Sequence, residues 1–356
     1  MKSFDEIFVD KTKYGVKVQT TEYSEVGEHI IIDQGQSQIA GYTDRQEGLF
    51  EEVPVVIFGD HTRVIKYVDE PFFLGADGVK VLRSKDDNAN YKYLYYALKN
   101  ARIPDTGYNR HFKWLKEVQI NYPDSDKQAE IVDILDNVSS VIKKREDELC
   151  VLDDLIKARF VEMFGDPVEN PKKYYVAALR ELIDKEYITY HLDGNHGGDY
   201  PRSDEFVDNG VPYISANCIV NGEVDFSRAK YLTPERASKL RKGIARDEDV
   251  LFAHNATVGP TVVLHTDEEK VILGTSLTAY RCNKKEIMPD YLKTYMLSDG
   301  FIQQYSAEMK QTTRNQVPIT IQKKYLFLIP PIEEQRQFTD FVHQVDKSKV
   351  VVASVK

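Results

Sequence analysis

Three cysteines in 356 residues, Cys150, Cys218 and Cys282, are too few and too far apart for a disulfide framework, and none forms a CxxC pair with metal-site spacing. They are expected to be reduced thiols. No apolar run approaches the roughly 18 residues that a membrane span requires, and Met1-Lys2-Ser3-Phe4-Asp5 does not lead into the apolar core of a signal peptide. The expectation is a cytoplasmic chain with no membrane partner. Catalytic signatures are equally sparse: there is no GxxxxGK[ST] phosphate loop, no GxGxxG after a strand, and no [DN]PP[YF] tetrapeptide, since Pro330-Pro331 stands between Ile329 and Ile332. ATP hydrolysis and methyl transfer are therefore not expected here, and no metal or cofactor is assigned to the chain. Positive charge is also short, with a net charge of −10 where a free-standing nucleic-acid binder is usually basic. That total does not decide the matter, because acidic residues can gather on helices while a local groove stays positive.

What is present is a pattern written twice. The stretch from about Val53 to Phe164 returns between Asp249 and Lys356, shifted by roughly two hundred residues. Phe58 in PVVIFGDHT matches Phe252 in DVLFAHNAT, Leu74-Gly75 matches Leu273-Gly274, Tyr93-Leu94 matches Tyr291-Leu292, and Pro123 and Gln128 match Pro330 and Gln335. The offset grows along the copy, so the second copy carries extra residues, as loops of a shared fold tolerate. The period is too long for a solenoid, whose units run to roughly 20–50 residues. Two whole domains are implied, which the length supports.

The clearest element is a helix from Asp126 to about Phe164. Ile131, Leu135, Val138, Ile142, Leu149, Leu152, Ile156 and Met163 recur in alternating steps of four and three, with Arg145 and Arg159 in the remaining seam positions. Pro123-Asp124-Ser125-Asp126 supplies the start and Gly165-Asp166-Pro167 the stop. Such a stripe needs a partner, and a second helix after Pro330-Pro331 places Phe338, Phe341, Val342, Val345 and Val351 near one face. Pairing the two antiparallel would bury both stripes and give an approximate internal two-fold. Val53–Phe58, Val250–Phe252, Val262–Leu264 and Val271–Leu273 read as short strands, and Tyr91–Lys99 and Asp290–Leu297 as helices, with Pro54, Pro71, Pro212 and Pro260 obscuring strand order. The fold class is mixed α/β, with two globular domains separated by two long antiparallel helices forming a coiled-coil spacer.

Two possible sites of chemistry can be weighed. Pro289-Asp290 with Glu308-Met309-Lys310 resembles the PD…ExK arrangement of metal-dependent nucleases, but that arrangement needs strands where this stretch reads as helix. His191 and His196 in HLDGNHGGD could be offered as metal ligands, although a histidine pair in a glycine-rich loop is usually polar surface. The loops are richer in side chains suited to bases and phosphates. The first copy offers Gln34, Gln36 and Gln38 with Tyr42 and Arg45, then His61, Thr62 and Arg63 directly after a strand, then Asn109, Arg110, His111 and Lys113. The second offers Ser215 and Asn217, His254, Asn255 and Thr257, Thr275 and Ser276, and the run Gln311-Thr312-Thr313-Arg314-Asn315-Gln316. Gln and Asn can pair with adenine and Arg with guanine, while Lys and hydroxyls hold phosphates.

Taken in order, IDQGQSQIAGYT, VPVVIFGDHTRVIKYVDEPFFLGADGVKVL, VPYISANCI, VLFAHNATVG and the two helix openings YPDSDKQAEIVDILD and IPPIEEQRQF resemble the specificity (S) subunit of type I restriction-modification systems. The resemblance covers nearly the whole chain. It implies a first target recognition domain over residues 1–125, a spacer helix over 126–166, a second recognition domain over 167–329 and a second spacer helix over 330–356. Each recognition domain would read one half of a bipartite, asymmetric site in double-stranded DNA. The implied partners are two methyltransferase (M) subunits docking on the helices and restriction/translocase (R) subunits. S-adenosylmethionine, ATP and magnesium would belong to those partners, and this chain would be non-catalytic. Two departures stand out: the second helix is much shorter than the first, and the first domain opens abruptly at Phe4-Asp5-Glu6-Ile7 where the second has the longer lead-in Tyr174–Ile188. The competing readings are a single-chain nuclease using Asp290, Glu308 and Lys310, and a helical assembly protein that binds no DNA.

Overall fold

The computed structural model of the chain describes residues 1–75, 77–107, 109–195, 199–309 and 315–353. It divides into two compact units, Met1–Lys144 and Arg145–Lys356.

The first unit holds strands β1 (Phe8–Asp10), β2 (His29–Ile32), β3 (Gly41–Thr43), β4 (Val55–Gly59), β5 (Ile65–Val68), β6 (Phe72–Leu74) and β7 (Val79–Ser84), then helix α1 (Tyr91–Lys99). They form an antiparallel sheet in the order β1-β7-β4-β5 and a second sheet β3-β2-β6, in which β2 and β6 run parallel. The continuous apolar run of β4 follows from its place between two cores. Alternation sends Val56 and Phe58 into a cluster with Leu82, Leu94 and Leu115, and Val55 and Ile57 into another with Ile32, Phe72 and Leu74. Helix α2 (Ser125–Phe164) begins where the Asp124 carboxylate accepts the Lys127 N–H at 2.9 Å, which caps an otherwise unpaired donor.

The second unit repeats this order. Its elements are β8 (Ile188–Asp193), β9 (Val211–Ile214), β10 (Lys230–Leu232), β11 (Ile244–Ala245), β12 (Val250–Asn255), β13 (Thr257–Val263), β14 (Val271–Leu273), β15 (Leu277–Cys282), α3 (Pro289–Met296), α4 (Asp299–Met309) and α5 (Ile332–Ala353). One sheet runs β8-β15-β12-β13, matching β1-β7-β4-β5 strand for strand. The other contains β10-β9-β14 with β9 and β14 parallel, matching β3-β2-β6, and adds β11 and the short strand Phe206–Val207 at its edges. β12 sits between two cores as β4 does: Val250 and Phe252 face one, Leu251 and Ala253 the other. The aligned glutamines also match in detail. Gln128 and Gln335 are both buried, and each donates its amide to the carbonyl of the aligned proline, Pro123 or Pro330, at 2.8 Å.

The repeat also explains the two openings. Lys2–Ser3 pairs with Gln119–Ile120 and leads into the one-turn helix Phe4–Ile7, just as Tyr175–Ala178 pairs with Leu326–Ile329 and leads into Leu179–Asp184. The abrupt start is the same device with shorter strands.

Helix α2 contributes to both units, so the division between them falls within it rather than at its ends. Ile131 and Val132 pack into the first unit's core, while Leu152, Ile156, Phe160 and Phe164 pack into the second's. In the second unit α2 and α5 run antiparallel: Phe338 meets Phe160 and Phe164, the Arg159 guanidinium lies over the Phe341 ring, and Lys349 pairs with Asp153 at 2.7 Å. Phe341, Val342 and Val345 join that core. Three of the expected stripe positions are not buried: Val138 is 49%, Ile142 45% and Val351 65% exposed. The antiparallel seam places α5 alongside the C-terminal part of α2, where Lys349 meets Asp153. Leu135 and Leu149 are half-buried. No helix among the described residues is long and apolar enough to cross a membrane.

Candidate nucleic-acid interface

In the first unit, three loops meet where β2, β4 and β6 end. The β4–β5 hairpin turns tightly, with the Arg63 N–H donating to the Gly59 carbonyl and Arg63 in the left-handed region. Into it fits Gln34, whose amide donates to the Asp77 carbonyl at 2.9 Å and accepts the His61 N–H at 3.1 Å, while its own carbonyl accepts the Thr62 hydroxyl. Gly78 makes this possible: it has a φ of +95°, and a Cβ there would lie 2.5 Å from the Gln34 amide. The segment carrying Asp105 and Asn109 closes over the hairpin. Arg63 pairs with Asp105 at 2.7 Å, the buried Asp60 carboxylate accepts the Phe112 N–H, and the Asp60 carbonyl accepts the His111 N–H.

Gln36, Thr62, Asn109, Arg110 and Lys113 are exposed around this cluster, and Gln38 is exposed with its amide donating to the Tyr67 carbonyl. His111 belongs to the core instead. It is buried with its Nδ1 3.1 Å from the Asp60 carbonyl, because that loop needs a polar anchor under the sheet end. Arg45 stands apart, since β3 runs antiparallel to β2 and carries it to the opposite end of the sheet from Gln34; Tyr42 lies mid-sheet, opposite Ile30. Lys66 escapes a search for loop residues altogether. On β5 it shares the buried face with Val68, and its ammonium donates to the Ser37 carbonyl at 2.6 Å and lies 3.5 Å from Asp33. Burial pushes its pKa down, against the pull of Asp33.

The second unit assembles the equivalent strand ends. The β12–β13 turn is made by Asn255 and Ala256, with Ala256 left-handed and its N–H donating to the Asn315 carbonyl. The Ser276 hydroxyl accepts the Ala216 N–H and the Ser276 carbonyl accepts the His254 N–H, which ties the β9 end, the β14 end and β12 together. Asn217, Thr257 and Asn315 are exposed there, and Ser215, Asn255, Thr275 and Ser276 half-buried. His254 is buried with its Nδ1 3.1 Å from the Val317 carbonyl, as His111 is against the Asp60 carbonyl. The histidine lies on the strand side of this contact in the second unit and on the loop side, as His111, in the first. Thr312, Thr313 and Arg314 lie outside the described residues, as do Gln311, His196 and Lys310.

Behind this cluster lies a polar knot. His191 Nε2 sits 3.1 Å from the Gln322 amide oxygen, which also accepts the Tyr280 hydroxyl, and Gln322 donates to Thr278 and the Val317 carbonyl. Burial pushes the His191 pKa down to about 4, against the favourable Gln322 hydrogen bond. Between the ordinary histidine pKa and about 4 the unfolded chain takes up a proton that the folded chain refuses. The resulting stability is complete above pH 6.5 and is lost as pH falls toward 4, by about 3 kcal/mol. Urea unfolding at pH 7.5 and 4.5 measures the loss, and an imidazole NMR titration centred near pH 6.5 would contradict the assignment.

Of the three residues offered for a nuclease, only Asp290 has a described side chain. Asp290 lies near the start of helix α3, buried, with His343 of α5 at 3.2 Å. No group of three or more His, Cys, Asp and Glu residues among those described could hold a metal ion. The side chain of Glu308 lies outside the description.

The family model for the type I restriction modification DNA specificity domain matches residues 10–150 and again 181–351. The chain belongs to that family. Each match to the specificity-domain family takes in one full loop cluster and part of α2 or most of α5. A curated relative, the type I restriction enzyme EcoR124I/EcoR124II specificity subunit of Escherichia coli, is 29% identical over 241 residues, 63% of this chain. The match spans about half of that relative, 55% of its length. Among solved structures, the type I restriction-modification S subunit from M. genitalium is similar in fold, with a TM-score of 0.56 at 17% identity, over 99% of this chain and 90% of that one.

Proposed function

We propose that this chain is the DNA-recognition subunit of a type I restriction-modification complex, in which each unit reads one half of a bipartite, asymmetric site. One observation carries the reading. Within a chain whose two halves both match the specificity domain, the same strand ends gather polar loops twice, with different residues: Gln36, Thr62, Asn109, Arg110 and Lys113 once, Asn217, Thr257 and Asn315 the second time. One scaffold with two unlike sets of side chains suits two unlike half-sites.

On this reading the chain performs no chemistry. Methyl transfer with S-adenosylmethionine belongs to two methyltransferase subunits docked on the helices, and ATP- and magnesium-dependent translocation and cleavage to restriction subunits, all in the cytoplasm. The apolar side chains that α2 leaves exposed, Ile134, Val138, Val141 and Ile142, support docking on that helix. The direct test is a footprint of the chain with its methyltransferase partner. Protection of two short segments separated by an unprotected gap is the expected result, and uniform or absent protection would refute the reading. Arg63→Ala, which frees the segment held through Asp105, is expected to weaken one half-site by roughly tenfold and leave the other unchanged, as binding to duplexes with one half scrambled would show.

A further inference from the structure

The loop Asp33–Gln38 carries three glutamines two residues apart, and the fold uses them differently. The Gln34 side chain is held by the Asp77 carbonyl and the His61 N–H. Gln38 donates to the Tyr67 carbonyl at 2.7 Å. Between them the loop backbone is fixed from beneath: Lys66, 2% exposed, donates to the Ser37 carbonyl, and the Asp33 carboxylate accepts the Gly35 N–H at 2.7 Å. Every one of these ties leads back to the β4–β5 hairpin, the Asp77 turn or the loop itself. Gln36 is left at the apex, exposed, and its amide has no hydrogen bond to any described residue.

A long, exposed side chain on a loop fixed on both flanks meets the requirements of direct readout. Its carboxamide presents one acceptor beside one donor group, the complement of N6 and N7 of adenine in the major groove. Because the backbone is ordered beforehand, binding need order only the Gln36 side chain, which lowers the entropy cost of the contact.

We infer that Gln36 is a specificity-determining residue that reads one adenine of the half-site taken by the first unit, and that Gln34, Gln38 and Lys66 are positioning residues that hold it there. The inference rests on the proposed function. It differs from a general DNA-binding role for the loop, because it assigns one glutamine to the base and two to the fold.

The experiment uses the full chain with its methyltransferase partner and a pool of duplexes randomised at each base pair of both half-sites. The wild type first defines the preferred bipartite sequence; selection of no such sequence would overturn the proposed function, and this inference with it. Given a wild-type motif, Gln36→Ala and the similarly sized Gln36→Leu are expected to lose preference at a single A·T pair of one half-site, by roughly 10- to 100-fold, with every other position unchanged. Lys66→Met is expected to weaken all positions of that same half-site together, and Lys66→Arg, which keeps the buried donor, to weaken them less. An unchanged motif with Gln36→Ala would overturn the inference, and so would an even loss across the half-site, which would make Gln36 another positioning residue.

Discussion

Replacing Arg281 with Ala is expected to destabilise the second unit by roughly 3–5 kcal/mol, enough to unfold a domain of ordinary stability. Asp249, which opens β12, is 1% exposed and accepts two parallel bonds from the Arg281 guanidinium, at 2.8 Å from Nε and 2.7 Å from Nη2. The same guanidinium donates to the Ile244 carbonyl and lies over the Tyr190 ring, so it joins β15 to β11, β8 and the start of β12. Truncation leaves a buried carboxylate with one remaining donor among the described residues, the Arg246 N–H. Arg281→Lys keeps the charge but not the fork, and an intermediate loss is expected. The double replacement Asp249→Leu with Arg281→Leu should recover part of the loss by removing the orphaned charge, a sign that separates desolvation from lost packing. The readouts divide conveniently. The one tryptophan, Trp114, lies in the first unit, so its emission should shift much less with urea than the far-UV ellipticity does.

How far these features could be read from the sequence varies with the distance over which their cause acts. Both ends of α2 and the equivalence of Gln128 and Gln335 are local or repeated signals, and the structure places them where the sequence does. The helix stripe is legible only in part. A strict alternation of three and four picks Met163, yet Phe160 and Phe164 are the deeper residues, because α2 packs against Tyr291 of α3 as well as against Phe338 of α5 and so buries a face wider than a two-helix seam. Val138 and Ile142 keep the stripe's period, yet both are exposed.

The loops show the limit most sharply. His61, His111, His254, Gln34 and Gln36 are all polar residues near strand ends, and composition treats them alike. What separates an anchor from a candidate reader is the segment that folds over it, Asp60 for His111 and Val317 for His254, each more than fifty residues away in the chain. Lys66 is the converse case. The alternation of β5 puts it on the face of Val68, a pattern visible in the sequence as a charge at an inward position, and the Ser37 carbonyl that satisfies it is not.

Phe338→Ala is expected to cost about 3–5 kcal/mol, the range for a fully buried phenylalanine whose cavity cannot collapse. The Phe338 ring packs edge-on against Phe160 and Phe164 with centroids 5.5 Å from each, whereas Lys349 faces the carboxylates Asp153 and Asp346 near the surface. Loss of the ring should therefore loosen α5 before it loosens the sheets. Hydrogen exchange is expected to accelerate over Ile332–Ala353 while β12 and β15 stay protected; equal acceleration in both would mean that the pair is not a separable element. Phe338→Leu, which keeps most of the volume, should cost less than about 1.5 kcal/mol. The pairing also separates the two halves of the proposed function. If the helices hold the methyltransferase subunits and the loop clusters hold DNA, Phe338→Ala should reduce co-purification of the partner, whereas Gln36→Ala should leave co-purification intact and change only the sequence selected.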